Sequence, residues 1–326
     1  MRVDELSACR ARLEEFAGEV FTPLARADQR VKGGLYLRGL LLDGRRKSMQ
    51  PMAGRLGVDH QQLQQFMTTS TWQVEAVRAR LARRAVAVVR PQVWVVDDTG
   101  FPKDGVSSPA VARQYSGTLG KVGNCQIGVS VHAASDTASC PLSWRLFVPR
   151  SWDGPDAAGR RARCQIPDGE CHRPKWQLAL EMLDELAALR LRPAVLVADA
   201  GYGAKAAMAS RFVFLRVRLA GRRPKPAADG VIGLVHLIAQ WPEDEAEPVK
   251  YWISNLPADI PARDLVRLAK SRWRIEHDYR ELKTTLGLDH FEGRSFTGWH
   301  RHVTLVSAAH LFLTEQRTCP KAPARA

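Results

Sequence analysis

Apolar residues recur along this chain at two different periods. Over residues 1–90 the spacing is helical: Leu6, Leu13, Phe16 and Val20 share one side of a helix that Thr22-Pro23 ends, and Leu35 to Leu42 forms a second apolar patch. Val74 to Val89 continues the pattern, with Arg78, Arg80, Arg83 and Arg84 interspersed. From residue 93 the period shortens. Val93-Trp94-Val95-Val96 is β-branched and aromatic, and Gln126 to Ala134 and Leu142 to Val148 alternate or run apolar, which predicts a three-stranded antiparallel meander. Trp152 to Pro174 reads as loop, Lys175 to Leu189 as an amphipathic helix, and 194–199 as a further strand. Strands are also predicted over 211–218, 231–239 and 250–254. A last helix carries the stripe Ile275, Tyr279, Leu282 and Leu286.

Within the helical part, residues 52–58 run into 59–66 through Gly57, which suits a turn, and Asp59, which suits a helix cap. Leu56, Val58, Leu63 and Phe66 can pack such a pair together. Two readings fit: a helix-turn-helix whose second helix offers Gln61, Gln62, Gln64 and Gln65 to base edges or phosphates, or a helical hairpin that only braces the core.

Three places carry acids in a pattern that suggests chemistry. Asp97 and Asp98 close the first strand, and because side chains alternate across a strand only one of them can serve a given site. Asp199 closes the run Ala194-Val195-Leu196-Val197-Ala198, ahead of Gly201 and Gly203. On the last helix, Arg272, Glu276 and Lys283 project to about 0°, 40° and 20° around the axis, so one face presents a carboxylate flanked by two cations. Each feature alone has an ordinary explanation, a turn-forming Asp or a solvated charged face; the three in order point to an acidic site.

The chain resembles bacterial DDE transposases of the insertion-sequence 4 superfamily, and among them the insertion-sequence 701 type. The resemblance rests on Asp97-Asp98-Thr99-Gly100-Phe101-Pro102-Lys103, Val111-Ala112-Arg113-Gln114-Tyr115-Ser116-Gly117, Gly120-Lys121-Val122-Gly123-Asn124-Cys125-Gln126, Ala198-Asp199-Ala200-Gly201-Tyr202-Gly203 and Leu288-Asp289-His290-Phe291-Glu292-Gly293-Arg294-Ser295. It implies that Asp97, Asp199 and Glu276 are the catalytic, metal-binding triad, with Asp98 a rival to Asp97. The superfamily signature around the Glu is Tyr, two residues, Arg, three residues, Glu, six residues, Lys. Arg272, Glu276 and Lys283 fit it, while Ala269 stands at the Tyr position. The implied fold is α/β: a ribonuclease H-like mixed sheet with flanking helices, divided into a helical DNA-binding domain (1–90) and a catalytic domain (91–326). Only residues 200–275 separate Asp199 from Glu276, so the β insertion expected before the Glu is shortened to a remnant at 204–256. An internal deletion after about Lys205 follows.

Composition changes this picture little. A net charge of +14 and a pI near 9.9 favour a polyanionic partner, since neutralising phosphates releases condensed counterions. No apolar run of about 18 residues and no secretory signal is present, which argues against a membrane protein; the resemblance implies a bacterial cytoplasmic, nucleoid-associated one. The six cysteines lack a Cys-x-x-Cys pair and read as free thiols; Cys164, Cys171 and His172 are close in sequence but offer no fourth zinc ligand.

Carboxylates suit hard cations, and two Mg²⁺ (or Mn²⁺) ions about 4 Å apart can activate a water or 3′-hydroxyl and stabilise the leaving oxygen of a phosphodiester. Arg272 and Lys283 would hold phosphates beside the scissile bond, with Lys103, Arg113 and Lys121 as further DNA contacts. The resemblance implies cut-and-paste transposition on terminal inverted repeats and target DNA, by a homodimer assembled on DNA. The competing readings are a catalytically inactive DNA-binding remnant that inhibits the intact enzyme, and a ribonuclease H-like nuclease without strand transfer.

Overall fold

A computed structural model describes residues 3–198, 210–218, 234–242, 246–248 and 250–318. Five helices come first: α1 (Val3–Val20), α2 (Ala27–Leu41), α3 (Met49–Leu56), α4 (His60–Thr68) and α5 (Val74–Val89). Strands β1 (Val93–Pro102), β2 (Ala112–Ser116), β3 (Lys121–Ala134) and β4 (Ser139–Phe147) follow, then a short α6 (Ala158–Arg163), α7 (Lys175–Ala188) and β5 (Leu196–Ala198). The C-terminal part holds β6 (Ser210–Arg218), β7 (Leu234–Pro242), β8 (Lys250–Ser254), α8 (Ala262–Lys270), α9 (Arg272–Thr284) and α10 (Phe296–Thr318).

The main sheet is mixed. β1 lies between β3, antiparallel to it, and β5, parallel to it. β3 is long enough to pair with β2 along its first half and β4 along its second. The expected meander is therefore present as β1, β3 and β4, with β2 added where loop was expected. A register shift between Val131 and His132 lets β4 carry Pro141, which has no N–H to give to a ladder. Helices cover both faces of the sheet. β3 is consequently buried continuously from Cys125 to Ala134 and does not alternate.

One hydrophobic core runs through the N-terminal helices, the sheet and α10, joining Phe16, Phe66 and Leu81 to Trp94, Trp144, Trp299 and Phe312. Buried polar bonds reinforce that union. Tyr36 of α2 meets His302 Nδ1 at 2.9 Å, and the other ring nitrogen of His302 meets the Gly287 carbonyl at 3.0 Å. The Arg301 guanidinium donates to the carbonyls of Met67 (3.1 Å) and Trp72 (2.8 Å), fixing the end of α4 to α10. Gly57 ends α3 in the left-handed region at φ 68°, and the Asp59 side chain caps α4 by accepting from Gln61 N–H. All four glutamines of α4 are exposed while Leu63, Phe66 and Met67 are buried.

β6, β7 and β8 form a separate antiparallel sheet, whose inner residues Ile238 and Trp252 pack on Leu265 and Ala269 of α8. Ala269, at the signature's Tyr position, is thus part of that small core. Asp199, residues 204–209 at the start of the expected insertion, and 231–233 of the strand expected over 231–239 lie outside the described residues.

Candidate active site

The site forms where β1 passes under α9. The expectation that the first strand stops at its acids is corrected: β1 continues to Pro102, so Asp97 and Asp98 sit mid-strand with side chains on opposite faces. Asp98 turns toward α7 and pairs with Lys175 Nζ at 2.9 Å. Asp97 turns toward α9. Its side chain is only 3% exposed; Oδ1 accepts from the Asp98 N–H at 2.9 Å and Oδ2 from Arg272 Nη1 at 3.1 Å. The other arm of the same guanidinium donates to Glu276 Oε1 at 3.0 Å, one helical turn on. One planar fork therefore holds both carboxylates, and the Glu276 side chain is 45% exposed, open to the cavity.

Lys283, two turns further along α9, reaches down to the same strand. Its ammonium donates to Thr99 Oγ1 (2.7 Å), the Gly100 carbonyl (2.7 Å) and Thr118 Oγ1 (3.1 Å). Burial is the main influence on it and pulls its pKa down to about 8. Gly100 is required here by close approach: a Cβ would stand 2.0 Å from Ser116 Oγ. The turn between β2 and β3 folds over β1 at this point, and Thr118 accepts the Gly100 N–H at 3.2 Å. Together these elements enclose a cavity of about 520 Å³ lined by Asp97, Glu276, Lys283, Arg280, Tyr115 and Thr118 among others.

Register explains why α9 sits where it does. Ser130 on β3 is opposite Asp97, and its hydroxyl meets Tyr279 OH at 2.7 Å, so the helix is pinned three residues after Glu276. His132, next on the same face, bonds Asp278 Oδ2 at 3.1 Å through Nδ1, and Ser139 donates to Asp278 Oδ1 at 2.7 Å. Burial pushes the Asp278 carboxyl upward, but the hydrogen bond from His132 and the charges of His310 and His132 outweigh it, leaving the group below its ordinary value. Burial holds His132 below its own ordinary value despite Asp278.

Residues 19–228 match the family model described as DDE superfamily endonuclease. The chain belongs to the DDE endonuclease superfamily. Residues 172–312 match a second model, the transposase DDE domain. A relative in Microchaete diplosiphon, named as a probable transposase for insertion sequence element IS701, is 29% identical over 168 residues, 51% of this chain and 41% of the relative. The chain thus spans less than half the length of that relative in the matched stretch. The resemblance to the insertion-sequence 701 type agrees with these matches.

Among the residues singled out from the sequence of this superfamily member, the structure brings together Asp97, Arg272, Glu276 and Lys283. Arg113 and Lys121 lie exposed on the β2–β3 hairpin. Lys103 is engaged elsewhere, donating to the carbonyls of Phe291 (2.9 Å) and Asp289 (3.5 Å), and burial lowers its pKa. Thr118, Ser130 and His132 had no assigned role in the sequence; their importance comes from register, which no local motif reports. Among the described residues no three His, Cys, Asp or Glu side chains are grouped to hold a metal ion, and Asp97 with Glu276 supplies two of the three acids expected. Their donors are hard oxygens, which fit a divalent cation such as Mg²⁺ and not a soft metal. Cys9, Cys125, Cys140, Cys164 and Cys171 are free thiols, as expected, and Cys319 lies outside the described residues. Among the described residues no helix is long and apolar enough to cross a membrane.

Proposed function

We propose that this chain is a DNA transposase of the insertion-sequence 701 type, which cleaves the ends of its own element and joins them to target DNA by cut-and-paste transfer. The observation that carries the reading is the Arg272 fork, which holds Asp97 from β1 and Glu276 from α9 in one cavity with Lys283. Neither acid is near the other in sequence. A sheet with β1 between an antiparallel and a parallel neighbour supports a ribonuclease H-like core, in which Asp199, directly after β5, supplies the third acid. Residues 204–256 are read as a β insertion shortened by internal loss.

Asp97, Asp199 and Glu276 would hold two divalent ions, Mg²⁺ or Mn²⁺. When bound, such ions supply Lewis acidity and lower the pKa of an attacking water or hydroxyl. The remaining work belongs to the chain. Lys283 holds a non-bridging oxygen of the scissile phosphate, while Arg272 sets the separation and orientation of the two carboxylates. In cleavage a water oxygen bonds to phosphorus, the bond to the 3′-oxygen breaks, and that oxygen takes a proton. In joining, the freed 3′-hydroxyl attacks a target phosphodiester, forming one P–O bond and breaking another. A basic chain with exposed Gln61, Gln62, Gln64 and Gln65 on α4, and Arg113 and Lys121 on the hairpin, supports DNA as the substrate. Two ends must meet for excision, so the working form is a homodimer on DNA in the nucleoid.

The test uses the full chain with a duplex carrying the terminal sequence that flanks its coding region, in Mg²⁺. Nicking at the element end followed by joining to plasmid is expected, with both lost in Asp97→Asn and Glu276→Gln while gel-shift binding persists. Binding without nicking in the native chain would favour the inhibitory remnant, and nicking without joining would favour a simple nuclease.

A further inference from the structure

One wall of the cavity has no part in the acidic chemistry. β2 alternates strictly: Gln114 and Ser116 turn inward, Gln114 Nε2 donating to the Cys125 carbonyl at 3.0 Å and Ser116 lying over Gly100, while Arg113 and Tyr115 turn outward. Tyr115 is 54% exposed and lines the cavity. In the β2–β3 register it stands beside Val122, also 54% exposed, so an apolar pair faces solvent at the mouth of a strongly polar site. Arg113, two residues before Tyr115, shares this outward face, while Lys121, opposite Ser116, is exposed at the start of β3. The platform is held rigidly. Thr118 Oγ1, just past β2, binds the Gly100 N–H, Thr99 Oγ1 at 3.2 Å and Lys283 Nζ, tying the hairpin to the strand that carries Asp97.

A flat aromatic ring, exposed on a fixed hairpin with a cation on the same face and facing a carboxylate pair, matches what a nucleic-acid strand presents: phosphates spaced by bases with apolar faces. We propose that Tyr115 stacks on the nucleobase next to the phosphate held between Asp97 and Lys283, and so sets which phosphate enters the cavity. This deepens the transposase reading and rests on it. The ring face makes the contact, and the phenol oxygen is dispensable. Val122 completes the platform by covering the base edge, while Arg113, on the same face, takes a neighbouring phosphate.

The experiment uses full-length protein and the same terminal duplex, with 2-aminopurine placed in turn at each nucleotide around the cleavage position. Stacking on Tyr115 quenches the probe at one position, read in EDTA so that no strand is cut. Tyr115→Ala is expected to abolish that quench and raise Kd and KM about tenfold with kcat nearly unchanged, and Tyr115→Phe is expected to restore native quench and KM. The side chain is exposed, so neither change threatens the fold. An alanine variant that quenches and binds like the native chain would overturn the proposal, as would a phenylalanine variant as weak as alanine. If the native chain never cuts in Mg²⁺ yet the quench follows the ring, the catalytic reading fails and the stacking stands. Cleavage that depends on Asp97 but ignores Tyr115 has the reverse meaning.

Discussion

The two sides of α9 carry acids of opposite kinds. On one side Glu276 is half exposed, shares a single guanidinium with Asp97 and borders an open cavity. On the other, Asp278 is buried and fully engaged by His132 and Ser139, with His310 Nε2 at 3.7 Å from it and 3.5 Å from Glu281. Glu281 is bonded by Arg317, whose hydrogen bond is the main cause holding that carboxyl well below the usual range. A buried carboxylate held by partners on other elements fixes a helix; one exposed to a cavity, as Glu276 is, can take a ligand. The same helix thus combines an anchor and a working edge, and the anchor determines where the edge lies.

The sharpest way to break this contrast is to neutralise one acid from each side. Asp97→Asn or Glu276→Gln should reduce strand cleavage by at least about 10³-fold, the scale of losing one preorganised electrostatic group, with Tm close to native for the exposed Glu276 and lowered for Asp97, the buried partner of Arg272. Nicking assays and thermal melts read the two quantities separately. Near-native cleavage in either variant would remove that residue from the site.

Asp278→Ala should do the reverse in kind. Removing the carboxylate leaves His132 and Ser139 buried without it, a loss of about 3 kcal/mol by comparison with broken buried pairs. A fall in Tm of several degrees is expected. Any loss of cleavage should follow the displaced helix and recover at lower temperature, which neutralising Glu276 would not allow.

How much of this was readable in advance depends on what decides each element. Alternation and apolar runs marked β1, the later part of β3, β4 and α7, and Gly57 with Asp59 marked the α3–α4 turn, because local periodicity and capping determine those. The residues 272–283 gave a correct helix and a correct face for Arg272, Glu276 and Lys283. Two things were not legible. α10 is buried on nearly all sides, with His302, Thr304, Ser307 and His310 inside, so it has no apolar stripe for a helical period to reveal. β2 is a five-residue strand whose pairing with β3 is decided across the hairpin and not within its own sequence. The choice between Asp97 and Asp98 was likewise a tertiary matter: alternation guaranteed that they diverge, but only packing of α9 on one face and α7 on the other says which acid faces which helix.

Lys283 allows the contrast to be sharpened by pH. Its folded pKa of about 8 lies below its ordinary value of 10.5 because burial disfavours the ammonium. Below pH 8 it is charged and can hold a phosphate; above it the charge is lost, so kcat/KM for cleavage should fall with an inflection near 8. The sign for stability is opposite. Between 8 and 10.5 the unfolded chain binds the proton that the folded chain has released, so this group's contribution to stability rises with pH over that window. Activity falling while Tm does not would separate the charge from the fold. A profile flat to pH 10 would show that the ammonium does not act in the reaction.

The smallest expected effect tests the face assignment most directly. Lys175→Met removes the partner of Asp98 on the α7 side, where the lysine is 38% and the aspartate 14% exposed. A pair so open to solvent contributes at most about 1 kcal/mol, so Tm should drop little. Cleavage should be unchanged, because Asp98 points away from Glu276 and the Arg272 fork stays on Asp97. If Asp98 were the metal-binding acid, freeing it from Lys175 would alter both the rate and its dependence on Mg²⁺ concentration. A titration of cleavage against Mg²⁺ in the two proteins therefore decides between adjacent residues that the sequence alone leaves equivalent.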